Sequence, residues 1–192
     1  MTHVVLFHHA QGLTAGVRAF AARLEAAGHR VSLPDLYEGK TFDSLEAGIE
    51  NASRIGFSTI VERGREAAEN IEDDVVYAGF SLGAMPAQML AQSMPDAQGA
   101  LLFHACITPS DLGSSWPVGV PVQVHGAEDD ELFVEEGDLD AARELVETVD
   151  TAELFLYPGD GHLFTDSSLP EYDADATALV EERVLAFLAS IP

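Results

Sequence analysis

A chain of 192 residues with 33 acidic and only 9 basic side chains has a formal net charge of −24, which excludes nucleic acid and anionic membrane surfaces as expected partners, because both are held through clustered Lys and Arg. At this length and 47% hydrophobic content, one domain over residues 1–192 with a large core is expected, and no apolar run approaches the roughly 20 residues that span a bilayer. Cys106 is the one cysteine, which excludes an internal disulfide, and the opening residues lack the basic start and long apolar run of a secretory leader, so a soluble, cytoplasmic protein is expected.

Taken in chain order, short apolar runs alternate with helical patterns. His3–Phe7 reads as a strand. Val17–Ala27 reads as a helix with Val17, Phe20, Ala21 and Leu24 on one face, ended by Gly28. A strand at Arg30–Leu33 follows, then one or two helices over Leu45–Ile71, broken near Gly56. Strand Val75–Ala78 leads into helix Leu82–Met94, which stops before Pro95. Strands Ala100–His104 and Val120–His125, helix Leu139–Val149, strand Ala152–Tyr157 and helix Ala174–Ala189 complete the series. The strand runs are continuous rather than alternating, as in strands covered on both faces. The fold class is therefore α/β: a three-layer, mostly parallel sheet of about six strands with helices on both faces. Ligands of such sheets bind beyond the carboxyl ends of the strands.

The third strand runs into Gly79-Phe80-Ser81-Leu82-Gly83 and then a helix. This G-x-S-x-G stands in the strand–turn–helix setting that gives the motif its meaning. Glycines two residues either side of Ser81 remove Cβ atoms where a sharp turn is crowded. The helix N-terminus beneath the serine favours developing negative charge. A serine nucleophile needs a base, and the base needs an orienting carboxylate. Of the histidines after Ser81, only His162 lies beyond the last strand, in Pro158-Gly-Asp-Gly-His162. The acid belongs after the penultimate strand, where Gly126-Ala127-Glu128-Asp129-Asp130-Glu131 stands. The spacing from Gly126 favours Asp129. Asp130 and Glu128 are alternatives, and Asp111 is a weaker substitute.

Across nearly the whole chain the sequence resembles the dienelactone hydrolase family of α/β-hydrolases. The resemblance is carried by VVLFHHAQGLTAGVRAFAARLEAAGHRVSLPDLYEGKTF, GFSLG, VHGAEDD and LYPGDGHLF. It implies that His3–Phe7 corresponds to the third strand of the full hydrolase fold, and that the chain is a minimal version of it. It also implies an oxyanion hole from the backbone N–H groups of Ala10 and Leu82. Three positions depart from the family pattern. Ser81 stands where well-known members have cysteine, His9 where they have glutamate, and Asp166 where they have an arginine that holds the substrate's carboxylate. An acid at Asp166 would repel a carboxylate, so an uncharged or cationic ester is expected, with Arg54 as a conceivable replacement cation.

The remaining polar and aromatic residues near the strand ends supply the expected substrate contacts: His9 and Gln11 in the first turn, Tyr37 after the second strand, and Phe80 and Phe164 as acyl-pocket walls, with Met85 and Trp116 as further wall candidates. Trp116 reads more readily as an anchor, and Cys106 as a small buried residue. His8, His9, His104 and His125 match no zinc spacing, so neither a metal nor another cofactor is expected. The expected function is hydrolysis of a small ester, lactone or thioester through an acyl-enzyme on Ser81, by a protein that is a monomer or homodimer. The alternatives are an amidase or peptidase on the same triad, and an idle hydrolase fold used for binding. The segment Asp43–Glu72 is expected to cap the site or pack on the sheet.

Overall fold

The computed structural model describes residues 1–69, 71 and 74–191. Asn70, within the expected helical stretch Leu45–Ile71, and Glu72, the end of the expected cap, lie outside the described residues. Six strands form one sheet: β1 (His3–Phe7), β2 (Arg30–Ser32), β3 (Val75–Phe80), β4 (Ala97–Phe103), β5 (Val122–Ala127) and β6 (Ala152–Tyr157). Their order is β2-β1-β3-β4-β5-β6, and every neighbouring pair is parallel. β1 and β3 are buried along their whole length, which is why β3 and all of β1 after His3 are continuously apolar. β5 begins after Pro121, two residues later than its pattern suggests, since proline has no N–H for a ladder.

The period-2 alternation of side chains divides the core in two. Val4, Leu6, Val76, Ala78 and Phe103 face α1 (Ala15–Ala26) and α7 (Ala174–Ser190). Val5, Phe7, Val75, Tyr77 and Leu102 face the other layer. That layer holds α2 (Leu45–Ile55), α3 (Phe57–Ala68), α4 (Ala84–Ser93), a short α5 (Glu131–Glu135) and α6 (Asp138–Thr148). Side-chain caps start several of these helices: Thr14 accepts from the Val17 N–H, Ser44 from Ala47, and Asp173 from Asp175 and Ala176. Each satisfies a helix donor that otherwise has no partner. Gly56, at φ 92°, both ends α2 and begins α3, so the expected break falls there.

Two features bear on the site. The chain leaves β1 for the edge strand β2 and returns to β3 on its other side. The strand order therefore reverses between β1 and β3, and the crevice beyond their carboxyl ends is the place where such sheets bind ligands. The second feature is α5, five residues long and not anticipated from sequence periodicity. It begins in the middle of the acidic run after β5. Among the described residues no helix is long and apolar enough to cross a membrane.

Candidate active site

Ser81 follows β3 directly. Its backbone has φ 47°, a left-handed conformation that costs a non-glycine residue about 1–3 kcal/mol. Residues Ser81–Gly83 form a single 3-10 turn before α4, so the helix starts two residues later than its sequence pattern suggests. Both flanking glycines are sterically required. A Cβ on Gly79 would lie 2.0 Å from the Gly83 carbonyl oxygen, and one on Gly83 would lie 2.6 Å from the Phe7 oxygen. The elbow is thus wedged against the end of β1, and its packing maintains the strained serine.

The Ser81 hydroxyl lies 2.8 Å from His162 Nε2. His162 Nδ1 lies 2.7 Å from Asp130 Oδ2. A carboxylate can only accept, so Nδ1 carries the proton and Nε2 presents its lone pair to the Ser81 O–H. The carboxylate on His162 is therefore not that of Asp129, the residue favoured by the Gly126 spacing. Asp129 is exposed, and its backbone N–H continues the ladder to the Gly159 oxygen at 3.0 Å. Asp130 is 2% exposed. Its second oxygen, Oδ1, accepts from the Leu132 N–H at 3.1 Å and so caps α5. One carboxylate starts the short helix and orients the imidazole. Phe133 of α5 is fully buried, and its ring occupies the space that a side chain on Gly126 would need.

Ala10 and Leu82 line the same cavity as Ser81 and His162. Ala10 sits in the turn after β1, closed by the Gly12 N–H on the His9 oxygen at 3.0 Å. Helix α2 rests on this turn through Gly48, where a Cβ would fall 2.2 Å from the Ala10 oxygen. His8 supports it from below. Its Nδ1 donates to the His9 oxygen at 2.7 Å, and its Nε2 accepts from the Leu36 N–H at 3.0 Å. Burial pushes its pKa down to about 4, and the neutral ring suits this pair of roles.

His9 turns away from the cavity. Its Nδ1 accepts from the Gln11 N–H, so Nε2 carries the proton and donates to Asp166 Oδ2 at 2.8 Å. Asp166 is 3% exposed. It also accepts from the Thr14 hydroxyl and from the Ser168 hydroxyl and N–H. Burial works against its charge, but the hydrogen bonds from His9, Ser168 and Thr14 outweigh that and bring its pKa to about 2. The acid expected to repel a substrate carboxylate is instead an internal clamp joining the Ala10 turn to the loop of His162. Gly16 makes room for it.

The cavity measures about 350 Å³, at the small end for ligand sites. Its apolar walls come from α2 and α3 (Ile49, Ala52, Phe57), from Leu82 and Met85 at the elbow, and from Ala105, Ile107 and Leu132. Glu136, Asp138 and His104 complete it. The Asp43–Glu72 segment thus does both things expected of it, since Ile49 and Phe57 border the cavity while Ile60 is core. The expected substrate contacts fare differently. His9 is committed to Asp166, and Gln11 Nε2 donates to the Phe42 oxygen. Tyr37 is buried with its hydroxyl on the Gly48 oxygen. Phe80 packs between Phe20 and Phe103, and Phe164 against His104 and Tyr157. None of these five lines the cavity. Tertiary partners hold each of them inward, Asp166 for His9, the Phe42 and Gly48 carbonyls for Gln11 and Tyr37, and neighbouring rings for Phe80 and Phe164, a choice that composition does not reveal. Of the further wall candidates, Met85 lines it and Trp116 does not; Trp116 donates to the Val120 oxygen elsewhere. Arg54 is exposed and outside the lining.

Other titratable groups near the sheet are internal. His125 hydrogen-bonds Tyr157 and Gln123, and burial brings its pKa to about 3. Burial raises the Cys106 thiol to about 12, so it is an inert packing residue. Among the described residues, no group of three or more His, Cys, Asp or Glu is placed to hold a metal ion. A second cavity, of about 290 Å³, lies at the amino ends of the strands, lined by His3, Asp74 and Gln98 among others, away from Ser81.

A parallel sheet with a serine on a strand–helix elbow, facing a histidine from the loop after the last strand, defines an α/β hydrolase. The chain belongs to the dienelactone hydrolase family, whose model matches residues 1–191, and it is accordingly a hydrolase acting on ester bonds. Solved structures share the fold. A candidate dienelactone hydrolase from Klebsiella pneumoniae subsp. pneumoniae superposes with a TM-score of 0.80 at 17% identity, covering 99% of this chain and 87% of that one. A dienelactone hydrolase-like promiscuous phosphotriesterase from metagenomic libraries gives 0.74 at 21% identity, covering 100% and 87%. A candidate hydrolase of the α/β superfamily from Xanthomonas campestris pv. campestris gives 0.67 at 22% identity, covering 100% of both chains. No curated protein matches the chain.

Proposed function

We propose that the protein cleaves small carboxylic esters, lactones or thioesters through an acyl-enzyme on Ser81. The observation that carries this reading is the hydrogen-bonded line from Ser81 through His162 to Asp130 at the wall of a small, mostly apolar cavity. Ser81 Oγ attacks the carbonyl carbon while its proton passes to His162 Nε2. Asp130 holds the ring in the tautomer that can accept this proton, and stabilises the imidazolium that results. The oxyanion is stabilised by the N–H groups of Ala10 and Leu82, whose backbone donors work whatever the side chain. His162 then returns the proton to the leaving oxygen or sulfur. Water, deprotonated by His162, releases the acid and restores Ser81.

The test is covalent. A fluorophosphonate probe is expected to label the wild-type protein at Ser81 and to leave Ser81→Ala unlabelled. The same variant is expected to lose p-nitrophenyl acetate turnover. Equal labelling of wild type and Ser81→Ala sinks the assignment.

A further inference from the structure

The cavity wall beside Ser81 and His162 contains two carboxylates, Glu136 and Asp138, and no Lys or Arg. Glu136 follows α5 and Asp138 opens α6, on either side of Gly137 at φ 100°. Asp138 is fixed in place, because its Oδ1 accepts from the Cys106 N–H at 2.7 Å. Among the described residues neither carboxylate has a basic ion-pair partner. A half-buried carboxylate without an opposite charge beside it is costly unless something offsets that charge, and burial accordingly raises the Asp138 carboxyl.

A second, independent feature marks the same wall. His104 has φ 63° and is 1% exposed. Its Nε2 is satisfied by the Thr165 hydroxyl at 2.8 Å, while its Nδ1 is buried without any hydrogen-bond partner. Buried polar atoms of this kind are uncommon and commonly mark a ligand or water position. Burial also holds the His104 pKa well below its ordinary value, so the ring adds no positive charge. The cavity therefore offers two acids, a neutral imidazole and apolar walls. A carboxylate-bearing substrate meets repulsion there with no cation to compensate, and a cationic group meets attraction.

We propose that the site selects small esters or thioesters carrying an ammonium group, with Glu136 and Asp138 as its specificity-determining residues; this rests on the serine-hydrolase reading above. The chemistry is unchanged. For a thioester, the Ser81 Oγ–acyl bond forms as the acyl–sulfur bond breaks, and the serine proton travels through His162 to the leaving thiolate.

The test compares three thioesters with thiol release as readout: acetylthiocholine, its neutral isostere with tert-butyl in place of trimethylammonium, and the acetyl thioester of mercaptopropionate. At low ionic strength, kcat/KM for the cation is expected to exceed that of the neutral isostere by about fivefold or more, and the anion to fall about tenfold below it, which is the scale of partly exposed charge pairs. High salt should narrow both ratios. Glu136→Gln and Asp138→Asn should each move the cation-to-neutral ratio toward one. The ratio is the readout because a general loss of activity leaves it alone. Asn keeps the oxygen that accepts from Cys106, and Glu136 is exposed, so neither change removes a buried contact. A wild-type ratio at or below one, or a ratio that neither variant moves, overturns the proposal. So does turnover of none of the three by protein that the fluorophosphonate labels. Failure of both labelling and turnover overturns the hydrolase reading instead.

Discussion

Replacing Asp130 by Asn separates the two carboxylates that stand side by side after β5. Asn retains an Oδ1 that can accept from the Leu132 N–H, so the cap of α5 survives. Its amide NH₂, however, faces His162 Nδ1 in place of a carboxylate oxygen. Nδ1 must then accept, the ring proton moves to Nε2, and Nε2 can no longer take the Ser81 proton. Loss of the correct tautomer in a triad of this kind costs about 10⁴ in kcat, or roughly 5.4 kcal/mol at 1.36 kcal/mol per decade. Asp129→Asn changes an exposed side chain with no such role, and is expected to stay within about twofold, in line with surface substitutions. Asp130→Ala removes both functions, so it should add a stability loss of about 1 kcal/mol from the missing cap, which for a chain of this size lowers Tm by roughly 2–4 °C. The assay is kcat and KM on p-nitrophenyl acetate for the three variants, with thermal unfolding in parallel. Asp130→Asn retaining activity within tenfold of wild type, or Asp129→Asn losing as much, would refute the reasoning.

Three other outcomes are expected. Gly48→Ala places a Cβ 2.2 Å from the Ala10 carbonyl oxygen, backbone against helix with no flexible side chain to yield, so the Ala10 turn or α2 must shift; kcat/KM should fall at least about tenfold, the scale of a sub-ångström to ångström misplacement, and unchanged kinetics in folded protein would show that the turn does not carry an oxyanion donor. Asp166→Asn tests the internal clamp: its native carboxyl titrates near 2 against an ordinary 3.8, so its charge stabilises the fold above about pH 4 and that contribution is lost as pH falls toward 2. The difference in urea-unfolding free energy between wild type and variant should therefore close by about 2 kcal/mol over that window, and a pH-independent difference would contradict it. Buried His8, His104 and His125 stay neutral in the native state well below the ordinary histidine pKa, while the unfolded chain takes up protons below about pH 6.5. Stability is thus fully present above pH 6.5 and falls on acidification, by up to about 1.4 kcal/mol per pH unit for each of the three, until the native rings themselves titrate, near pH 4 for His8 and near 3 for His125; calorimetry showing a flat Tm from pH 6.5 to 4.5 would argue against their burial as neutral rings.

What the amino-acid sequence determined by itself is local in origin. The alternation of apolar runs with helical periodicity specified the parallel three-layer sheet, because a strand buried on both faces must be apolar throughout. The elbow was legible because both glycines stand two residues from Ser81, Gly79 being needed by the turn's own backbone, while the role of Gly83 against the end of β1 is tertiary. His162 was legible from its place after the last strand. Tertiary structure decided whatever depended on which way a side chain points once elements pack. Asp130 rather than Asp129 meets His162 because α5 begins at Asp130 and Phe133 docks over Gly126. The one local clue was an N-cap residue two positions ahead of Leu132, inside what reads as a solvated acidic run. His9, Gln11, Tyr37, Phe80 and Phe164 have the composition of a binding site, yet Asp166, the Phe42 and Gly48 carbonyls and the surrounding rings hold them inward. The cavity is instead walled by α2, α3, Glu136 and the start of α6, segments that lie outside every motif, and only their meeting in space brings Glu136 and Asp138 beside Ser81.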